Sequence, residues 1–287
     1  MEKKYILGAV CGDVAGSTYE VINMLSAAQC KKRPDTLVAK GSRFTDDTVM
    51  TCAVADALAI LQDYTKHGKW NVYNQFTLSL HEWGNRYLNA GYGRAFLSWL
   101  QSDNPQPYGS WGNGSAMRVS YIGWAAKSLE DAEKLAELSA VPTHNHLQGV
   151  NGAKVIAGCI YLLRQGKSKS EIEEYAAKYY DMSFTLDEIR DDYTFEVSCQ
   201  GSVPQAIRAF LEGESFEDVL TLAISIGGDS DTIAAIACSL AEVIYPIDKD
   251  LEEKVLSILT DEIKDALQKA TAIVLASQTS ADTESEE

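Results

Sequence analysis

The sequence is poor in the residues that staple, hinge or anchor a chain. Its 6 cysteines (Cys11, Cys30, Cys52, Cys159, Cys199 and Cys238) include no C-x-x-C pair, which argues against a structural zinc site and a disulfide framework. Most stand in apolar surroundings such as IAAIACSLA, the setting of reduced, buried thiols. No Pro/Ser-rich stretch marks a linker. No apolar run approaches the ~18 residues that span a bilayer. The apolar start of MEKKYILGAVCGD is too short and too interrupted for a signal peptide, so a soluble, cytoplasmic protein with no membrane partner is expected. Bases are scarce too: 25 Lys+Arg stand against 41 Asp+Glu, a net charge of −16. That balance disfavours non-specific binding to nucleic acid or to an anionic membrane.

What is present is helix-forming sequence. Apolar residues make up 46% and aromatic residues 9%, a globular composition that excludes a mostly disordered, collagen-like or low-complexity chain. The length suffices for one large domain or two small ones, at roughly 100–200 residues each. Helical periodicity predicts helices at Thr48–Leu61, Val72–Leu88, Arg94–Leu100, Ser115–Ala126, Leu129–Ala140, Leu147–Leu163, Lys169–Tyr180, Val203–Leu211, Phe216–Ser225, Asp231–Ile244 and Leu251–Ala276. Ser128 and Ser168 are start signals, and Gly166 is a stop. Only Tyr193–Ser198 (YTFEVS) has a strand-like pattern. The simplest reading is one all-α domain over residues 1–276, a compact multi-helix orthogonal bundle, followed by an acidic disordered tail at 277–287. The small residues of IAAIACSLA and NGAKVIAGCIY permit close helix approach. They point to central helices surrounded by others.

The chemistry gathers where Gly, Asp and Thr precede an apolar helix. In GSRFTDDTVM, Thr45, Asp46, Asp47 and Thr48 stand together; in SIGGDSDTIAA, Asp229, Ser230, Asp231 and Thr232 follow a glycine pair. Either knot alone reads as a helix cap, because acids are favoured at the positive end of a helix. A cap needs one side-chain oxygen, however, and adjacent carboxylates repel unless protons or a cation intervene. Oxygen-only donor sets suit Mg²⁺, Mn²⁺ or Ca²⁺ rather than Zn²⁺. Spacing alone leaves capping and metal binding both open. Three more segments share this look. GAVCGDVAGSTYE carries Asp13 and Glu20. YGSWGNGSAMR is either a capped turn or a cradle of backbone N–H groups for a phosphate. PTHNHLQGVNGAKVIAG holds two of the 4 histidines, without metal-ligand spacing.

In this order the segments resemble the ADP-ribosylglycohydrolase family. The matching pieces are G-D-x-x-G-S-x-Y-E at Gly12–Glu20, F-T-D-D-T at Phe44–Thr48, G-Y-G at Gly91–Gly93, G-N-G-S-A-M-R at Gly112–Arg118, T-H-N-H at Thr143–His146 and G-G-D-S-D-T at Gly227–Thr232. The resemblance implies an all-α domain with two divalent cations, Mg²⁺ or Mn²⁺, in a cleft. It implies Thr45, Asp46, Asp47, Asp229, Asp231 and Thr232 as metal ligands, with Glu20 or the metal-bound Asp47 for proton transfer. Gly109, Ser110, Trp111, Gly112 and Asn113 match the loop that holds the diphosphate and distal ribose. His144 matches a substrate contact, and Gly91, Tyr92 and Gly93 match a loop bordering the cleft. Asp13 is expected to be a buried cap or a partner of the ligands.

The reaction implied is hydrolysis of the glycosidic bond between the distal ribose of ADP-ribose and an acceptor, reversing ADP-ribosylation. The partner would be an ADP-ribosylated protein or an ADP-ribose derivative. LNAGYGRAF lacks an acid that some arginine-specific members carry before the glycine loop, and looks more like members acting on serine- or O-linked ADP-ribose. Two other readings share these residues: a catalytically silent ADP-ribose-binding relative, and a metal-dependent hydrolase of another nucleoside or phosphoester.

Overall fold

In a computed structural model that describes residues 6–25 and 31–284, the chain forms α1 (Leu7–Leu25), α2 (Asp46–Leu61), α3 (Lys69–Arg86), α4 (Arg94–Leu100), α5 (Gly114–Met117), α6 (Ser120–Ala125), α7 (Leu129–Ala140), α8 (Leu147–Arg164), α9 (Lys169–Ala176), α10 (Leu186–Ile189), α11 (Cys199–Glu212), α12 (Phe216–Ser225), α13 (Ser230–Ile244), α14 (Lys249–Ile258) and α15 (Asp261–Glu284). Among the described residues there is no strand. Tyr193–Ser198 is irregular instead, with one antiparallel bridge between Gly112 and Ser198. No described helix is long and apolar enough to cross a membrane.

The small-residue helices lie at the centre, as their composition predicts. Every side chain of α13 from Ser230 through Glu242 is buried, with α1, α8, α11 and α12 packed around it. The second, α8, is enclosed by α5, α6, α7, α9, α11 and α13. Each fully buried Ile or Leu in such a core contributes about 1.5–3 kcal/mol. Ser128 and Ser168 cap α7 and α9 through the N–H groups of Asp131 and Glu171. Gly166 follows the end of α8 with φ +77°. Cys11, Cys52, Cys159, Cys199 and Cys238 are free and buried; Cys30 lies outside the described residues.

The largest departure is α1, which periodicity did not predict. Its glycines look like loop punctuation, but Gly8, Gly12 and Gly16 recur every fourth residue and so share one helix face. A Cβ on them would stand 2.4, 2.2 and 2.4 Å from Cys238 O, Ala234 O and Asp231 Cα. Backbone meets backbone along α13, which only glycine allows.

Three predicted helices also end or break early. Ser115–Ala126 is divided into α5 and α6 at Arg118–Val119. Lys169–Tyr180 stops at Ala176, where the chain turns. Leu251–Ala276 is divided into α14 and α15, because the Thr260 hydroxyl accepts from Ile263 N at 3.4 Å and starts a new helix. α15 continues to Glu284, across residues expected to belong to the tail; no Gly or Pro interrupts them.

Candidate active site

The site begins with Asp13 on α1. Its carboxylate accepts from the backbone N–H of Thr45 (2.9 Å) and Thr48 (3.1 Å) and from the Thr45 hydroxyl (2.7 Å), as well as from the Thr48 hydroxyl. Four donors use the acceptor capacity of one carboxylate. Asp13 thereby fixes the start of α2 against α1. Thr45 is the N-cap itself, its hydroxyl accepting from Asp47 N at 3.3 Å. Asp46 N donates to Ala90 O at 3.0 Å, which ties the Gly91–Gly93 loop to the same helix start.

The second knot is braced from three sides. Gly227 and Gly228 have φ of +78° and +71°, and a Cβ on Gly228 would meet the Tyr193 ring at 2.4 Å. Asn23 donates to Gly228 O (3.0 Å) and Ser230 Oγ (2.8 Å). Asn113 donates to Asp229 Oδ2 at 2.6 Å. The knots meet where Thr232 Oγ1 donates to Asp47 Oδ2 at 3.1 Å.

Two groups of carboxylates result. Asp13, Asp47 and Asp231 each offer an oxygen within 4.8 Å of the others, and so do Glu20, Asp229 and Asp231. Burial is the largest influence on every acid here, and neighbouring acids add to it at most of them. It pushes Asp46 up to about 8, with Asp13 and Asp229 adding to the shift. It lifts Asp47 and Asp231 well above the carboxylate range. Glu20 and Asp229 are raised as well; Arg43 opposes the rise at Glu20 and the Asn113 amide that at Asp229. Asp47 Oδ1 is buried without a hydrogen-bond partner. A buried anionic oxygen with no donor, inside an all-oxygen cluster, is the environment that a hard divalent cation satisfies. The residues fit such an ion.

The carboxylates form one wall of a cleft of about 420 Å³, within the range of small-molecule sites. Glu20, Asp46, Asp47, Asp229, Asp231 and Thr232 line it, with Gly91, Tyr92 and Gly93, then Ser110, Gly112 and Asn113, and His144. Three expected residues lie off the wall. Thr45 is buried behind it, held by Asp13. Gly109 donates to Asn145 Oδ1 at 2.7 Å. Trp111 is 56% exposed, with its ring 5.7 Å from that of His146. The glycine loop is also less free to donate than its composition suggests. Gly112 N donates to Ser110 Oγ (3.1 Å) and Asn113 N to Val197 O (2.8 Å).

Several lining residues carry no sequence signal of a site: Met24, Arg94, Phe195 and Val197; Met50 and Tyr108 stand at the edges of the quoted segments. Phe195 and Val197 come from the segment with the strand-like pattern. It reaches the cleft because Cys199 N donates to Trp111 O at 2.9 Å and Asn113 N to Val197 O, tying it to the glycine loop.

An all-α bundle that gathers two Asp/Thr helix starts at one cleft defines a class of protein, and comparison with known proteins gives it a name. The sequence profile of the ADP-ribosylglycohydrolase family matches residues 3–284, and the chain belongs to that family. It is 28% identical to ADP-ribosylhydrolase ARH3 of Mus musculus, over 85% of this chain and 83% of that protein. It is 24% identical to ADP-ribosylarginine hydrolase Tri1 of Pseudomonas putida, over 85% of this chain and 70% of that one. A solved structure described as an ADP-ribosylglycohydrolase-related protein complex shares the fold, with a TM-score of 0.66 at 21% identity, covering 94% of this chain and 95% of the other. The protein is a glycohydrolase enzyme.

Proposed function

We propose that this enzyme hydrolyses the bond between the distal ribose of ADP-ribose and an acceptor, using two divalent cations, Mg²⁺ or Mn²⁺. The observation that carries the reading is the pair of carboxylate groups sharing Asp231, with the orphaned Asp47 Oδ1 among them. Asp46, Asp47, Asp229, Asp231 and Thr232 would hold the cations, and Thr45 would support them from behind. Bound there, the cations would supply charge to orient the ribose diol and to acidify a water.

The chain's own residues do the rest. Glu20 is half-buried at the cleft wall, where burial and the neighbouring Asp229 raise its pKa, and a carboxyl group so placed can exchange a proton with the reacting atoms. It takes the proton of the attacking water or gives one to the leaving atom, and Asp47 is the alternative group for that step. The transition state has oxocarbenium character, as in other glycosidic cleavages. Ser110, Gly112, Asn113 and His144 also line the cleft and would place the nucleotide. The residues flanking Gly91–Gly93 include Arg94 and no acid, which favours a serine- or O-linked acceptor over arginine. A cytoplasmic protein with one domain over residues 1–276 completes the reading.

The test is hydrolysis of arginine-linked, serine-linked and O-acyl ADP-ribose with Mg²⁺, with Mn²⁺ and with chelator. Asp46→Ala and Asp231→Ala should lose about 100-fold or more in activity, together with divalent-ion binding, and keep wild-type helicity. Full activity of either variant in chelator sinks the metal reading. Glu20→Gln should lower turnover about 100-fold and leave ADP-ribose affinity nearly unchanged. Equal losses of both would reduce Glu20 to a binding residue.

A further inference from the structure

Arg118 lines the cleft yet is only 1% exposed. Among the described residues no carboxylate pairs with it. Its Nη2 donates to Ser139 O at 2.7 Å and to Thr143 Oγ1 at 3.0 Å. Burial lowers its pKa to about 10, so it stays charged at neutral pH. Thr143 is buried as well, and its Oγ1 lies 2.7 Å from His144 Nδ1 and 3.5 Å from Ala140 O.

These contacts favour one placement of the protons. A guanidinium has donors only, so the Thr143 oxygen accepts from Arg118. The threonine hydroxyl then has one proton to give, and the close acceptor is His144 Nδ1 rather than the distant Ala140 carbonyl. A ring nitrogen that accepts carries no proton, so in the neutral ring the proton sits on Nε2. Nε2 faces the glycine loop: it lies 3.2 Å from where a Cβ on Gly114 would stand and 3.7 Å from the same point on Gly112. The groups around the ring that carry or change charge are Arg118 and Tyr108, whose ring centroid is 6.2 Å from that of His144.

We infer that Arg118 and Thr143 are positioning residues that hold His144 as a neutral imidazole with its Nε2–H aimed into the cleft. They turn a titratable ring into a fixed donor in the cleft that the carboxylates also line. Its chemical partner is an acceptor atom, a phosphate oxygen or a nucleobase nitrogen or carbonyl, on a bound nucleotide. Arg118 contributes its charge indirectly, through a threonine, without touching the ligand. Burial and Arg118 both depress the pKa of His144, in keeping with a ring that stays neutral. Only the use made of this donor rests on the proposed function; the proton positions do not.

Nitrogen-15 histidine spectra of the full chain, with His144 assigned through His144→Asn, read the tautomer directly. Wild type should show Nε2 protonated and Nδ1 bare, unchanged between about pH 5 and 8. Protonated Nδ1, or an imidazolium within that range, overturns the inference without any variant. Thr143→Val should release the ring into mixed tautomers and weaken ADP-ribose binding about tenfold, the equivalent of one net hydrogen bond. Thr143→Ser should restore both. An unchanged tautomer in Thr143→Val also overturns it. A protein with the expected tautomer that fails to hydrolyse any ADP-ribose linkage would refute the proposed function and leave this relay standing.

Discussion

Asp13 shows how one buried carboxylate can organise a site by hydrogen bonding. Burial raises its pKa, and the amides and hydroxyls of Thr45 and Thr48 pull it back. Removing it strands buried donors at the start of α2, so Asp13→Ala should destabilise the fold by about 3 kcal/mol and weaken divalent-ion binding as Asp46 and Asp47 lose their register. Asp13→Asn should cost less, since its amide oxygen still accepts. Urea unfolding and calorimetric metal titration check this; an unchanged midpoint in Asp13→Ala would mean that α2 starts correctly without it. At this scale the sequence was informative. Asp13 reads as a cap, and Glu20 and the two knots converge on one cleft. Phe195 and Val197 were illegible, because an apolar residue in an irregular segment gives no sign of what lies opposite. Thr45 and Trp111 matched a motif, but which side of the wall each occupies follows from tertiary hydrogen bonds that no local pattern encodes.

At the scale of elements, the junction of α1 and α13 sets Asp13, and through it the start of α2, against the second knot. Gly12→Val would place a Cβ 2.2 Å from Ala234 O, and backbone cannot give way as a side-chain tip can. The helices must separate. The expected cost is about 1–3 kcal/mol, with weaker metal binding although no ligand has changed. Gly68→Ser is the control, with nothing within 4 Å of a new Cβ. If both variants bind metal like wild type, the glycine face does not set the site. Leu129–Ala140 was legible to the residue because Ser128 caps it, and Phe216–Ser225 from its periodicity alone, its cap Ser215 emerging only in the structure. α1 was not, since glycine spaced by four is the same signal whether it loosens a loop or admits a neighbouring backbone. The break between α14 and α15 depends on one threonine hydroxyl, too slight a cue inside a long periodic run.

At the scale of the whole molecule, the net charge of −16 is unevenly important. Most acids are spread over the surface, and those buried at the cleft link stability to pH with a sign of their own, because burial raises their pKa values. Asp46 moves from an ordinary 3.8 to about 8 in the folded chain. The folded state therefore binds more protons than the unfolded state between those values, and stability falls as pH rises across them. In chelator the melting temperature should drop from about pH 4 to pH 8. Millimolar Mg²⁺ or Mn²⁺ should reverse the trend, because cations bind the ionised carboxylates and only in the folded state. Identical pH profiles with and without metal would show that the cluster holds no ion.

The hydrogen bond from Thr232 to Asp47 closes a loop of 185 residues. At synthesis rates of about 5–20 residues per second, roughly 10–40 s separate the making of the two halves of the centre. Throughout that interval a nascent chain carries Asp13, Glu20, Asp46 and Asp47 without the helix that completes their cluster. On the proposed assignment of the site, a ribosome-bound fragment ending before the second knot lacks half of the carboxylate cluster, and activity should appear only once translation has passed residue 232.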